Sequence, residues 1–141
     1  MIAVDTNILI YAHRDSFSQH ARAIKALTAL ADGAELWAIP SVCLAEFLRV
    51  TTHPRVLHPP STIAQATGAL EALLASPSLR LLTPGERHAG LLLEIVRTNE
   101  VTGNLVFDAQ IVALCVEHGV RELLTADRDF ARFSDIKTRA L

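Results

Sequence analysis

The feature that most constrains this chain is its opening segment, an apolar run that ends in a carboxylate. Residues 2–4 are Ile-Ala-Val, Asp5 follows, and a second apolar stretch with helical character covers residues 8–12. A short continuous apolar run is typical of a strand buried in a parallel sheet. In open α/β sheets, ligands bind beyond the carboxyl ends of the strands, so Asp5 is a candidate site residue. Asp is also a common helix N-cap, and this segment alone favours neither role.

Short apolar strands and amphipathic helices alternate along the rest of the chain. Strands are predicted at 2–4, 36–39, 80–83, 122–125 and, at the sheet edge, 136–138. Helices are predicted at 8–12, 16–31, 41–52, 61–75, 86–100 and 105–118, with a helical turn at 127–133. Gly119 follows the sixth helix, where a capping glycine is common. The alternation predicts an α/β fold with a mainly parallel central sheet of four to five strands, built as one domain over residues 1–141.

Composition limits the classes of protein that fit. The chain has 141 residues, half of them hydrophobic, which suits one domain with a sizeable core. No apolar run approaches the ~18 residues of a membrane span, and no secretory leader is expected. Cys43 and Cys115 have no metal-like spacing, so we expect buried thiols in a reduced, cytoplasmic protein. The net charge of −2 gives no overall attraction to nucleic acid.

Four of the 15 acidic residues stand out because of their surroundings. Asp5 and Asp127 each follow a predicted strand. Glu46 and Asp108 are the only charges in otherwise apolar helical segments. A lone carboxylate on a buried helix face is costly unless it is paired or bound to a metal ion. Both of these acids are predicted in or near the first turn of a helix, where negative charge is favoured.

Each of these acids also has a purely structural interpretation. Glu46 can pair with Arg49, and such ion pairs are common. Asp108 can supplement a helix cap at Asn104, and Asp127 can cap the final helical turn. Taken singly, each structural role is more common than a functional one. The four acids together, two at parallel strand ends and two on helices, favour convergence on one site.

A cluster of four carboxylates predicts bound metal. Without cations the acids repel one another and shift toward protonation. Ligands that are all oxygen, with positions left for water, indicate Mg²⁺ or Mn²⁺. Zinc is disfavoured because the six histidines are scattered, and no glycine-rich phosphate loop or nucleophile elbow is present. The pattern favours a metal-activated water that attacks a phosphodiester.

Four parts of the sequence form a joint pattern that spans the chain. They are Val4-Asp5-Thr6-Asn7-Ile8-Leu9, the position of Glu46, Gly103-Asn104-Leu105-Val106-Phe107-Asp108-Ala109 and Leu124-Thr125-Ala126-Asp127-Arg128-Asp129-Phe130. Together they resemble the PIN-domain ribonucleases, and more narrowly the VapC-type toxins of bacterial toxin–antitoxin pairs. The resemblance implies a three-layer α/β/α sandwich, usually homodimeric, that cleaves single-stranded or structured RNA endonucleolytically with Mg²⁺ or Mn²⁺. It also implies a VapB-like antitoxin whose tail packs along the toxin and blocks the acidic site.

The resemblance assigns roles to residues by their positions. The implied metal-binding and catalytic quartet is Asp5, Glu46, Asp108 and Asp127. The implied polar supports of the site are Thr6, Asn7 and Thr125. Asp129 resembles an auxiliary acid of a variable kind. Phe107 is a departure, because many relatives carry a histidine there; that histidine is not a metal ligand, so we expect altered substrate contacts and unaltered catalysis.

Two other functions fit parts of the pattern. A phosphatase of the haloacid dehalogenase type also begins with an Asp at a strand end, but it needs a second Asp where this chain has Asn7. A catalytically inactive PIN-like module that binds RNA or a partner is the main alternative. Retention of all four acids argues against it, because a site without catalytic function has no reason to keep a costly charge cluster.

The helices predicted between residues 41 and 75 carry more apolar positions than one sheet face can cover. These positions are Phe47, Leu48, Val50, Ile63, Leu70 and Leu73. Exposed apolar surface marks interfaces, so we expect a helical antitoxin segment to bind here. An arginine from that segment can then pair with the acids.

Overall fold

The computed structural model describes residues 1–141 and contains five strands, six α-helices and one 3₁₀ helix. The strands are β1 (Ile2–Val4), β2 (Trp37–Pro40), β3 (Leu79–Leu82), β4 (Glu122–Leu124) and β5 (Lys137–Arg139). The α-helices are α1 (Thr6–His13), α2 (His20–Asp32), α3 (Val42–Thr51), α4 (Ile63–Leu74), α5 (His88–Thr98) and α6 (Leu105–Glu117). The 3₁₀ helix is Arg128–Arg132. Every strand begins and ends within one residue of its predicted position.

The five strands form one parallel sheet in the order β3-β2-β1-β4-β5, which confirms the predicted α/β class. The chain runs outward from β1 to β3 and then returns to β4 on the other side of β1. Right-handed crossovers therefore place α1 to α4 on one face and α5 and α6 on the other, which gives three layers. The reversal makes a topological switch point between β1 and β4, where α/β folds bind ligands.

Helix α2 begins at His20, four residues later than predicted. The preceding residues form turns because Phe17 packs against Tyr11, with ring centroids 5.2 Å apart. The imidazole Nδ1 of His20 lies 2.8 Å from the carbonyl oxygen of Tyr11. These contacts hold residues 14–19 against α1, so the prediction of a helix from residue 16 is wrong at this end.

Gly119 caps α6 as predicted. The glycine has φ +71°, in the left-handed region, and its N–H donates to the carbonyl of Val116 at 3.1 Å. The N–H of Val120 donates to the carbonyl of Cys115 at 2.8 Å, which completes a Schellman motif.

The same motif ends α5 without a glycine. Glu100 has φ +50°, and the N–H of Val101 donates to the carbonyl of Val96 at 3.0 Å. The left-handed backbone at Glu100 cannot continue the helix, so α5 ends at Thr98 and not at residue 100 as predicted.

The core takes up part of the apolar surface that the sequence assigned to an interface. Phe47 and Leu70 are buried among the core side chains, so the prediction that they belong to an exposed patch is wrong. The ring of Phe47 packs edge-on against His13 of α1, with centroids 5.2 Å apart. Ile63 is 78% exposed, in agreement with the prediction, and Leu48, Val50 and Leu73 are half-buried. None of the helices has the length and apolar character needed to span a bilayer.

The turn that precedes α5 depends on one acid from α6. The side chain of Glu117 is 8% exposed and accepts the N–H groups of Gly85 and Arg87, each at 3.1 Å. We expect Glu117→Gln to lower the free energy of unfolding by about 1–3 kcal/mol, because an amide replaces a charged double acceptor and leaves a backbone N–H poorly paired.

The matched control is Glu122→Gln. Glu122 pairs with Arg139 at 2.9 Å, but the arginine side chain is 56% exposed, so this loss should stay within about 1 kcal/mol. Urea unfolding of both variants measures the difference. Equal destabilisation of the two would contradict the role given to Glu117.

Candidate active site

Asp5 lies at the switch point between β1 and β4, and it is also the N-cap of α1. Its backbone N–H donates to the carbonyl of Leu124 at 3.0 Å and extends the strand pairing by one residue. Its Oδ1 accepts the N–H of Thr6 and its Oδ2 accepts the hydroxyl of Thr125, both at 2.7 Å. The capping and the site interpretations of Asp5 therefore describe the same side chain.

The carboxyl group of Asp5 is held in an environment that disfavours its charge. The residue is 4% exposed, and burial raises its pKa to about 7. The hydrogen bonds from Thr125 and Thr6 lower the pKa, whereas the nearby carboxylates of Glu46 and Asp108 raise it further. Negative charge at this position is therefore incompletely compensated by the protein itself.

Thr125 joins the end of β4 to the start of α1. Its hydroxyl donates to Asp5 and accepts the N–H of Asp127 at 3.0 Å. The side chain of Asn7 reaches the same loop, where its Oδ1 accepts the N–H of Ala126 at 3.3 Å. The two strand ends that carry acids are thus held together by a threonine and an asparagine.

Glu46 is linked to Asp5 through Thr6. The hydroxyl of Thr6 donates to Oε2 of Glu46 at 2.7 Å, while the backbone N–H of Thr6 donates to Asp5. Glu46 is half-buried, so the prediction that it lies on a buried helix face is wrong. Glu46 makes no salt bridge with Arg49, so that structural interpretation is wrong as well.

Three carboxylates form the most compact part of the site. Asp108, Asp127 and Asp129 each contribute an oxygen atom, and these atoms all lie within 4.8 Å of one another. Asp5 and Glu46 lie outside this group. Asp127 caps the 3₁₀ helix by accepting the N–H of Asp129 at 2.8 Å, as one interpretation of the sequence proposed. We call Asp108, Asp127 and Asp129 the acidic trio.

The other two acids of the trio and Glu46 disfavour the negative charge of Asp108. Burial raises the pKa of Asp108 to about 6, and the carboxylates of Asp127, Glu46 and Asp129 raise it in the same direction. Arg132 lowers it. Asp108 is half-buried, where the sequence predicted a buried face, because it occupies the first turn of α6 before that helix enters the core. Asn104 makes no side-chain cap, so Asp108 does not supplement one.

The influence of Arg132 on Asp108 does not follow from the sequence pattern. Asp129 is predicted there only as an auxiliary acid, and Arg132 lies three residues after it in the same 3₁₀ helix. A helical turn at residues 127–133 was predicted, and the spacing of these two residues within it was the available signal.

A groove opens beside the acids, between α3 and α6. Its volume is about 560 Å³. It is lined by Val42, Ala45, Glu46, Arg49, Asn104, Phe107, Gln110 and Ile111. Because Glu46 belongs to both features, the groove is continuous with the acidic site.

The donor set fits a hard divalent cation. The trio offers carboxylate oxygens at close spacing, and no histidine or cysteine joins them. Oxygen ligands of this kind suit Mg²⁺ or Mn²⁺ and do not suit zinc. The raised pKa values of Asp5 and Asp108 agree with this fit. No cationic side chain acts on Asp5, and Arg132 only partly offsets the burial and the neighbouring carboxylates that act on Asp108.

The raised pKa of Asp5 predicts a pH dependence of the stability of the metal-free protein. In the unfolded chain the group titrates near 3.8, and in the folded chain near 7, so the folded protein binds the extra proton between these values. Stability should therefore fall as pH rises from about 4 to about 7. Asp5→Asn removes this ionisation, so the variant should lose less stability over the same range.

Thermal melts of both proteins in chelator, from pH 4.5 to 8, measure the effect. Asp15→Asn, at an exposed loop acid, is the control and should follow the parent protein. Parallel pH profiles for the parent and Asp5→Asn would contradict the prediction.

Comparisons with known proteins agree with this geometry. The PIN domain family model matches residues 2–136. Ribonuclease VapC43 from Mycobacterium tuberculosis is 38% identical over 139 residues, which cover 99% of this chain and 94% of the relative. Ribonuclease VapC25 from the same organism is 34% identical, with 97% and 96% covered.

Two solved structures have the same fold. VapBC2 from Rickettsia felis, bound to a promoter DNA fragment, matches with a TM-score of 0.72 at 21% identity, over 99% of this chain and 98% of that chain. A toxin–antitoxin complex from Klebsiella pneumoniae matches with a TM-score of 0.65 at 23% identity, over 98% and 97%. The family model matches nearly the whole chain, VapC ribonucleases are 34% and 38% identical over nearly its full length, and the fold is shared. Together these findings show that this chain belongs to the PIN-domain family, among its VapC ribonucleases.

Proposed function

We propose that this chain is a divalent-metal-dependent endoribonuclease, built as one PIN domain, and the toxin of a toxin–antitoxin pair. The observation that carries the proposal is the acidic trio at the sheet's switch point, three carboxylate oxygens within 4.8 Å of one another. Relatives named as ribonucleases, 38% identical over nearly the whole chain, support RNA as the substrate. The alternative of an inactive binding module has no feature of its own in its favour.

The proposed metal ligands are Asp5, Glu46, Asp108 and Asp127, with Asp129 as a further oxygen donor. When bound, Mg²⁺ or Mn²⁺ lowers the pKa of a water molecule and polarises the phosphodiester that this water attacks. Asp5 is held in one orientation by hydrogen bonds from Thr6 and Thr125. Asp5 and Asp108, whose pKa values are raised, would release a bound proton on holding a cation.

The first test is cleavage of RNA with and without metal. We expect the purified chain to cut single-stranded RNA internally in Mg²⁺ or Mn²⁺, to stop in excess chelator, and to recover when metal is restored. Asp108→Asn should abolish cleavage because it removes one ligand oxygen charge. Full activity in excess chelator would contradict the proposal, and RNA binding without cleavage by the parent protein in Mg²⁺ would favour the inactive binding module.

The same variant has a stability readout that does not depend on RNA. Two like charges about 5 Å apart repel by roughly 3 kcal/mol at an effective dielectric near 20, and less after solvent relaxation. Relief of about 1 kcal/mol should raise the melting temperature of metal-free Asp108→Asn by a few degrees. The variant should also gain less stability from added Mg²⁺ than the parent does. Asp15→Asn serves as the exposed control. A lower melting temperature with an unchanged Mg²⁺ response would mark Asp108 as a structural residue.

The proposed partner is a VapB-like antitoxin that lays an apolar helix on the face formed by α1, α2 and α4. A groove of about 370 Å³ lies there. It is lined by Leu9, Ala12, His13, Ile24, Leu27, Thr28, Ala31, Phe47, Ala69, Ala72 and Leu73. An amphipathic helix binds such a surface through residues spaced three and four apart.

We expect Ile24→Glu to weaken antitoxin binding at least tenfold, because it places a charge in this apolar groove. Ile24 is 43% exposed, so the folded chain tolerates the change. The control is Leu93→Glu, which alters a residue of α5 that is 62% exposed and lies outside the groove. Titration of the cognate antitoxin against each variant measures the affinity. Equal affinities for both variants would exclude this groove as the binding surface.

A further inference from the structure

An exposed aromatic ring stands next to the acidic trio. Phe107 is 65% exposed and directly precedes Asp108 in the first turn of α6. Leaving a phenyl ring in water is unfavourable by its apolar area, so a ring in this position is a natural contact for a ligand. It lines the groove between α3 and α6, which shares Glu46 with the site.

The other side chains of this groove are suited to a nucleotide. The side chains of Asn104 and Gln110 make no hydrogen bond within the chain, so their amide donors and acceptors are free for a base edge. Arg49 is the only cationic residue of the lining and forms no salt bridge. A guanidinium is well suited to bind a phosphate group through paired hydrogen bonds.

We propose that the groove binds one unpaired nucleobase of the RNA beside the phosphate that is cleaved. Phe107 stacks on the base, Asn104 and Gln110 contact its edge, and Arg49 pairs with a neighbouring phosphate. This makes Phe107 a specificity-determining residue, and the inference rests on the proposed function. RNA-binding proteins commonly recognise unpaired bases by stacking on aromatic side chains and bonding to their edges.

The size and the side chains of the groove suit one nucleotide. The lining carries one positive and one negative side chain, Arg49 and Glu46, so the groove as a whole does not attract a polyanion, and Arg49 offers a single local contact to a phosphate. The volume of about 560 Å³ lies within the range of small-molecule sites and has room for one base with its ribose.

The test uses a short fluorescein-labelled single-stranded RNA and the same RNA with one abasic nucleotide. Asp108→Asn is the background, since it is expected to prevent cleavage, and fluorescence anisotropy in Mg²⁺ gives the affinity. We expect added Phe107→Leu to weaken binding of the intact RNA about tenfold or more, because the side chain stays apolar but loses its π face. Phe107→Tyr should restore affinity to within about twofold. An abasic nucleotide at the cleaved position should lower the RNA affinity of the protein that carries Phe107. It should leave the RNA affinity of the Phe107→Leu variant unchanged. Leu93→Ala, on α5, should match the background.

Two outcomes would overturn the inference. One is an affinity for RNA that does not change with Phe107→Leu. The other is a parent dimer, seen by sedimentation, that Phe107→Leu dissociates without any change in RNA affinity; the ring would then belong to an interface between copies. Failure of the proposed function is distinguishable from failure of this inference. A parent protein that binds RNA through Phe107 but does not cleave it would contradict the proposed function and support the nucleobase site in the groove. Cleavage whose rate and sequence preference do not change with Phe107→Leu would contradict the nucleobase site alone.

Discussion

Repulsion between carboxylates at one edge of the sheet is the constraint on which the rest of the structure depends. Strands β1 and β4 are adjacent and parallel, so Asp5 and the Thr125–Asp127 turn meet at the carboxyl end of the sheet. The first turn of α6 brings Asp108 to that edge, and α3 brings Glu46. Hydrogen bonds from Thr6 and Thr125 fix the orientation of Asp5, yet its pKa is still raised to about 7. Local packing holds these acids together against a cost that only a cation or a proton removes.

The sequence predicts the strands more accurately than the helix ends, and the reason is physical. A buried parallel strand is specified by a short apolar run, which is a local property of the chain. Helix ends depend on particular side-chain contacts and backbone conformations that the spacing of apolar residues does not describe. Helix α2 starts late because Phe17 packs on Tyr11, and α5 ends early because Glu100 adopts a left-handed backbone without being a glycine. No periodicity of apolar residues carries that information.

The candidate site divides in the same way. Positions at strand ends, such as Asp5 and Asp127, follow from the order of elements and are readable in the sequence. The exposure of Glu46 and Asp108 is set by how α3 and α6 cross the sheet edge, and a pattern of apolar neighbours overestimates their burial. The inclusion of Asp129 in the acidic trio depends on the tight 3₁₀ geometry that follows Asp127. Burial of Phe47 and Leu70 likewise depends on helix packing that hydropathy alone does not describe.

Capping and ligand binding are compatible uses of the same acids, and this explains how the fold tolerates the site. Asp5 caps α1 with one oxygen and accepts Thr125 with the other, and Asp127 caps the 3₁₀ helix with one oxygen. Each acid thus contributes to folding in the absence of metal, which offsets part of the repulsion among them. The remaining negative charge is the part available for function. A divalent cation neutralises it in the proposed active state, and we expect a positively charged side chain of the proposed antitoxin to neutralise the same charge in the inhibited state. Because the metal ion and the antitoxin side chain would compete for one set of carboxylates, binding of either one would lower the affinity for the other.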